Sequence, residues 1–222
     1  MSKVREVPPT LLPFNVDALL PPGSAGRKIA RFLKNQVIFS QGDRSGALFY
    51  IEEGCVKLTV RSRLGKEAII GIFNRGEWFG ESCLARHQLV RFGNAIALTE
   101  VRAVQIDRRT ALRVLRTESQ TSYSFINFLV ARNTQTQGDL VYNLLNSSER
   151  RLARVLSTLA LSEAKGKSEL YPNVSQKTLA EMIGSTRQRV NLLMQRFRKL
   201  GFIEDDYVLK IRDSLLNRGR YD

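Results

Sequence analysis

The stretch VSQKTLAEMIGSTRQRVNLLMQRFRKLGFIE, residues 174–204, decides how the C-terminal part of the chain folds. Leu179, Ala180, Ile183, Gly184, Val190 and Leu193 fall where two short helices joined by a tight turn must be apolar or small. A small residue lets the helices approach, glycine turns the chain, and the later aliphatics lock the second helix onto the first. The spacing predicts a helix-turn-helix whose second helix begins near Thr186.

Arg187, Gln188, Arg189 and Asn191 lie at outward positions of that helix, followed by Gln195, Arg196, Arg198 and Lys199, and no carboxylate occurs from Thr186 to Lys199. Guanidinium groups read guanine edges and phosphates, while Gln and Asn amides pair with adenine, so this face suits the major groove of double-stranded DNA. Arg187, Gln188, Arg189 and Asn191 are the expected contacts to base edges or nearby phosphates. Arg196, Arg198 and Lys199 are expected on the phosphate backbone, and Ser175 and Gln176 at the start of the first helix complete the DNA-contact set. The alternative is an ordinary solvated basic helix; against it, the inward and outward positions fit together.

Downstream, GFIEDDYVLKI holds two short β-prone runs around Asp205 and Asp206, the pattern of a wing hairpin, which makes the domain a winged helix. Upstream, Glu149 to Leu161 reads as an amphipathic helix with Leu152, Val155, Leu156 and Leu159 on one stripe, the remaining wall of a small core.

With 222 residues the chain has room for a separate domain in front of this one, and a formal charge of +14 suits a polyanionic partner. Cys55 and Cys83 are the only cysteines, too few and badly spaced for a disulfide framework, an iron–sulfur cluster or a zinc site. They read as reduced thiols of a cytoplasmic protein. No stretch approaches a membrane span, and the N-terminus has no apolar signal core.

Five of the six prolines lie in residues 1–22, where they forbid a long helix, so residues 1–24 are expected to form a flexible arm, mobile or draped over a neighbour. From Gly26 to Asp107 short alternating runs such as ALFYIEEGCVKLTV and NAIALTEVRAVQI are punctuated by glycines, which predicts an antiparallel barrel or jelly roll, assigned to residues 25–115. Phe125, Phe128, Leu129, Leu140, Val141, Leu144 and Leu145 recur at helical spacing, so residues 116–146 are expected to form a long helix, with residues 147–222 as the winged-helix domain. Arg132 to Asp139 carries no apolar side chain. Either the helix breaks near Gly138, or it is a dimer helix whose polar middle faces a ligand or a polar partner, with Phe125, Leu129, Leu140 and Leu144 in the seam.

Barrel, long helix and winged helix in this order resemble the cyclic-AMP receptor protein and Fnr superfamily of bacterial transcription regulators. The resemblance spans about residues 25 to 215 and is carried by the helix-turn-helix, QGD at Gln41 to Asp43, EGCVKL from Glu53 to Leu58 and GEWFGESCLARHQLVRFGNAIALTEV from Gly76 to Val101. It implies an α+β fold with a cyclic-nucleotide-binding-like jelly-roll barrel, a homodimer seamed by the long helix, DNA binding controlled by an effector in the barrel, and RNA polymerase as a partner.

The last of those segments looks like the family's phosphate-binding cassette. Gly80 permits close backbone approach, Glu81 and Ser82 open a short turn with free N–H groups, and Arg91 supplies a fork of donors for an anion. Glu81 makes sense beside an anion if it accepts from a sugar hydroxyl, and a ribose cyclic phosphate such as cyclic AMP meets both demands. Two positions depart from cyclic-AMP binders, which place a serine or threonine where Phe92 stands and a threonine then a serine where Thr136 and Gln137 stand. The alternative for Glu81 and Arg91 is a structural ion pair. His87 as a haem or metal ligand lacks a second ligand at helical or loop spacing, and for Cys83 as a redox switch nothing in the sequence fixes a thiolate character.

The chain is therefore expected to be a homodimeric, sequence-specific DNA-binding regulator and not an enzyme, because one histidine offers neither a metal cluster nor a carboxylate-held base for cyclic-nucleotide hydrolysis. A nucleotide-binding scaffold that leaves DNA alone is the other reading, and the base-edge side chains argue against it.

Overall fold

The computed structural model describes residues 14–65, 67–87, 90–162 and 174–203. Among the described residues the alternating runs become eight strands: β1 Arg27–Phe32, β2 Val37–Phe39, β3 Ala47–Glu53, β4 Val56–Arg61, β5 Glu67–Phe73, β6 Trp78–Phe79, β7 Asn94–Ala97 and β8 Val101–Asp107. They form two four-stranded antiparallel sheets, ordered β1-β8-β3-β6 and β2-β7-β4-β5. The β3–β8 register sets Leu48 opposite Ile106, Tyr50 opposite Val104 and Ile51 opposite Ala103. Because side chains alternate across a strand, Phe49, Ile51, Val101 and Ala103 enter the space between the sheets while Leu48, Val104 and Ile106 meet the helices. Gly54 turns β3 into β4 with φ +88°, and a Cβ there would lie 2.0 Å from the Glu100 carbonyl oxygen. No residue but glycine fits that turn.

The helices are α1 Val16–Leu19, α2 Arg108–Thr117, α3 Ser119–Leu145, α4 Ser148–Ser162, α5 Gln176–Met182 and α6 Arg187–Lys199, with a 3-10 helix at Glu81–Leu84. None among the described residues is long and apolar enough to cross a membrane.

The flexible arm expected for residues 1–24 is corrected from Phe14 onward; residues 1–13 lie outside the described residues. Phe14, Val16, Leu19 and Leu20 are buried, and the Phe14 ring sits 5.3 Å from Phe125, 5.8 Å from Trp78 and 6.4 Å from Phe128. The Trp78 indole donates to the Phe14 carbonyl at 2.8 Å. Proline forbids long helix but not burial, and apolar residues between the prolines supply enough contact to hold the segment.

α3 is one unbroken helix through Gly138. Its C-terminal half is braced by α4: Arg154 pairs with Asp139 at 2.9 Å and lies 4.2 Å above the Tyr142 ring, and the Tyr142 hydroxyl donates to the Arg150 carbonyl. These contacts offset the roughly 1 kcal/mol by which glycine weakens a helix interior. Two of the expected seam residues face elsewhere, for Phe125 is buried with Trp78 and Phe128, and Leu129 packs on the same cluster. The exposed stripe consists instead of Tyr123, Ile126, Val130, Asn133, Gln137, Leu140 and Leu144, spaced alternately three and four apart. Periodicity alone reports that a helix has apolar faces, and here one belongs to the barrel and another is open.

Leu152, Leu156, Leu179, Ala180, Ile183, Val190, Leu193, Met194 and Phe197 form the C-terminal core, with Val155 packed against it. The side chain of Leu159 and the expected wing from Glu204 onward lie outside the described part. This core touches the barrel through α5, which packs on β5, and through Lys57 on β4, 3.6 Å from Glu181 with both side chains largely buried.

Truncating Phe14 to alanine empties a site walled by three aromatic rings, and large-to-small changes of this kind cost about 3–5 kcal/mol. Denaturant unfolding of the Phe14→Ala variant is expected to show a loss of that order. An unchanged midpoint would show that the segment lies on the core without stabilising it.

Candidate nucleic-acid interface and anion pocket

The two short helices at residues 176–199 are held by local hydrogen bonds that the sequence supplies. The Ser175 hydroxyl accepts from the Thr178 amide and caps α5; the Thr186 hydroxyl accepts from the Arg189 amide and caps α6. Between them Gly184 takes φ +60°. α6 ends where Gly201, at φ +70°, donates to the Arg198 carbonyl and Phe202 donates to the Phe197 carbonyl, the rings of Phe197 and Phe202 closing at 6.3 Å. That is a Schellman end with its hydrophobic contact.

Val190, Leu193, Met194 and Phe197 take the inner side of α6, which turns Arg187, Gln188, Arg189, Asn191, Gln195 and Lys199 to solvent. These exposed side chains form one basic and amide-rich face. Arg198 is half-buried, and Gln176 is half-buried at the start of α5. Two arginines of the set make contacts that sequence alone did not suggest: Arg196 pairs with Glu149 at 2.9 Å, and the Arg189 Nε lies 3.5 Å from the Ser148 hydroxyl. Both partners sit in the first turn of α4, so these arginines also fix how α6 lies on its neighbour.

In the barrel, Gly80 adopts φ +79° and caps the 3-10 helix, as the close approach requires: a Cβ would meet the Arg91 guanidinium at 2.8 Å. Arg91 is only 4% exposed. Its Nη1 donates to the Gly80 carbonyl at 3.0 Å and its Nη2 to the Ala47 carbonyl at 2.6 Å, with the guanidinium 4.0 Å from the centre of the Phe39 ring. Its Nε is buried without a partner among the described residues. Burial lowers the Arg91 pKa from its ordinary value, while Glu81 and Asp43 act in the opposite sense.

Glu81 pairs with Arg132 of α3 at 3.3 Å rather than with Arg91. Arg132 also donates to the Trp78 carbonyl at 2.7 Å and lies 4.6 Å from the Phe73 ring centre. In place of the alternative Glu81–Arg91 ion pair, Glu81 makes one that ties the long helix to the barrel. Arg132 escaped the sequence reading because it stands in a polar run; its place one helical turn before Thr136 was the available signal. Ser82 is half-buried in the 3-10 helix, Thr136 donates its hydroxyl to the Arg132 carbonyl, and Gln137 is exposed. Phe92 is 64% exposed, so its ring adds no bulk beside Arg91, although the hydroxyl that a serine or threonine would offer is missing. His87 is exposed, while Cys55 and Cys83 are fully buried.

The description "Cyclic nucleotide-binding domain" matches residues 29–118, and "Crp-like helix-turn-helix domain" matches residues 150–215. A CRP-like cAMP-activated global transcriptional regulator of Mycobacterium tuberculosis is 26% identical over 78% of either chain. The Cyclic AMP receptor protein of Thermus thermophilus is 26% identical over 75% of this chain and 74% of its own. Among solved structures, a transcriptional regulator of the CRP family from Thermus thermophilus has the same fold, with a TM-score of 0.70 at 20% identity over 86% of this chain and 97% of that one.

Burial pushes the Cys55 thiol up to about 12 and the Cys83 thiol up to about 11 from an ordinary 9.0. At pH 8 neither is expected to react with an aromatic disulfide reagent until the protein unfolds, because the thiolate is the nucleophile. A raised folded pKa means that the unfolded chain releases protons first, so the two thiols are expected to add a loss of stability as pH rises from about 9 toward 11 and 12. Rapid labelling of the native protein at pH 8 would contradict the burial.

Proposed function

The chain belongs to the Crp/Fnr superfamily of transcription regulators, and we propose that it works as a homodimer that reads a two-fold DNA site with α6 and is adjusted by a small anionic effector in the barrel. The observation that carries the DNA reading is the solvent-facing side of α6, where Arg187, Gln188, Arg189 and Asn191 stand together on a helix capped and braced from both sides. Lys199 and Arg198 would hold backbone phosphate, and Ser175 and Gln176 bring the start of α5 to the same strand. Arg196 shares its charge between phosphate and Glu149. The working division is a barrel of residues 25–115, the long helix to residue 146 and the DNA-binding part from 147 to 222. RNA polymerase is the partner that regulation of transcription by such a dimer calls for.

The effector reading rests on the pocket around Gly80, Glu81, Ser82 and Arg91, with Arg132 closing it from α3. Arg91 keeps a buried Nε without a partner among the described residues, a donor that an anionic oxygen would satisfy. A cyclic nucleotide fits the donor set and the Glu81 carboxylate. Cyclic AMP itself lacks one hydroxyl contact here because Phe92 carries no hydroxyl, which weakens it by about 1–3 kcal/mol. Thr136 and Gln137, on the turn of α3 that follows Arg132, are the remaining members of the proposed set.

Binding to duplexes with two half-sites about one helical turn apart tests the DNA reading. Arg187→Ala or Arg189→Ala is expected to cost about 1–3 kcal/mol and relax the preference at one base position, whereas Lys199→Ala is expected to weaken all sequences alike and flatten the salt dependence. Equal affinity of the wild type for every duplex would refute sequence reading.

Calorimetric titration with cyclic AMP tests the pocket. Binding weaker than the low micromolar range is expected, abolished by Arg91→Ala. A tighter constant would mean that the missing hydroxyl does not matter, and binding that survives Arg91→Ala would place the anion elsewhere.

A further inference from the structure

α3 divides its middle between two directions. Arg132 turns to Glu81 and Trp78 of the barrel, while Asn133 and Gln137, one position further on in each turn, are exposed. Their place is not arbitrary. Tyr123, Val130, Gln137 and Leu144 make one set and Ile126, Asn133 and Leu140 the other, and both sets repeat every seven residues along an unbroken helix. This is the a/d pattern of a two-stranded coiled coil, and Asn133 and Gln137, at successive d and a positions, form a polar double layer in it. Tyr123, Ile126, Val130, Leu140 and Leu144 are each more than half exposed in the single chain, which leaves apolar surface on both sides of the layer.

We propose that Asn133 and Gln137 form a buried, hydrogen-bonded layer with their counterparts in a second copy of this chain, and that this layer fixes the parallel, in-register, two-stranded state of the dimer. The proposal rests on the homodimer reading above and deepens it. A second copy is the occupant because a strict seven-residue repeat needs a partner of the same pitch, and a two-fold axis along the seam sets each residue against itself. Carboxamides suit such an axis, since each carries both donors and acceptors and can satisfy an identical group across it. A shift of one heptad would set these amides against isoleucine, valine or leucine and leave them buried without partners. The aligned register avoids that penalty. Aligned helices in turn place the two α6 helices at one fixed separation, as a DNA site of fixed half-site spacing requires.

The test combines oligomer size with cross-linking. Leu144→Cys places a reporter at a seam position, and the two native thiols are buried and so stay out of the reaction. In the otherwise native chain, mild oxidation is expected to give one dimer species cross-linked through residue 144, and sedimentation one dimer. Adding Asn133→Leu with Gln137→Leu makes the seam apolar throughout; association is expected to tighten at least tenfold while trimers or larger species appear and the cross-linked fraction falls. Asn133→Asp, which keeps the shape but adds a charge, is expected to weaken the dimer at neutral pH and restore it at acid pH. A doubly substituted protein that remains purely dimeric, with unchanged association and cross-linking, would overturn the proposal while leaving the homodimer reading intact. A native chain that sediments as a monomer at micromolar concentration and never cross-links would overturn both.

Discussion

The Arg132 guanidinium is where the architecture is tied together. It projects from the middle of α3, donates to the carbonyl of Trp78, pairs with Glu81 and lies on the ring of Phe73. One side chain therefore fixes the rotation of the long helix against the barrel. Given that rotation, Phe125 and Phe128 must go inward onto Trp78 and Phe14, and the stripe from Tyr123 to Leu144 must face out. Rotating α3 by one residue, roughly 100°, would send the aromatic pair to water and the carboxamides toward the barrel. The geometry of any dimer built on this seam follows from a contact made within each chain.

How much of this could be read in the sequence depended on how local the deciding contacts are. The helix-turn-helix was legible because its caps at Ser175 and Thr186, its turn at Gly184 and its apolar spacing all lie within some thirty residues and agree with one another. The strands were legible for the same reason, with alternation and glycine turns repeating every few residues. What failed was partner assignment. Phe125 and Leu140 sit on the same helix at helical spacing, and nothing in the chain says that the first meets Trp78 while the second stays open. The N-terminal segment failed similarly: its prolines were visible, but the cleft that receives Phe14 is built from residues more than sixty positions away. Glu81 and Arg91 were read as one cluster, but the choice of Arg132 as the partner of Glu81 depends on where α3 crosses the barrel.

The pocket divides its two arginines into different kinds of cation. Arg91 has lost water almost entirely and is held by two carbonyl oxygens and an aromatic face, contacts that stabilise a charge without neutralising it. Arg132 stays partly exposed and is neutralised by Glu81. An anion entering here meets, deep in the site, a positive charge that forms no ion pair among the described residues, and at its rim one that is paired. Deep positive charge in low dielectric is the stronger attractor, so the depth of the site, more than its rim, favours an anionic group.

β5 gives this local chemistry its reach. Phe73 ends that strand beneath the Arg132 guanidinium, and α5 packs against the same strand, with Lys57 on neighbouring β4 pairing to Glu181. The pocket and the helix-turn-helix therefore share one strand as a support, while α3 and α4 join them along a second route through Asp139 and Arg154. Two supports constrain orientation where one would leave a hinge. The contacts differ in kind, because the β5 route has its ion pair largely shielded from water whereas the Asp139–Arg154 pair is about half-exposed. Screening by salt weakens the exposed pair first, so the orientation of α6 depends on ionic strength mainly through the helical route and is held by packing through the strand.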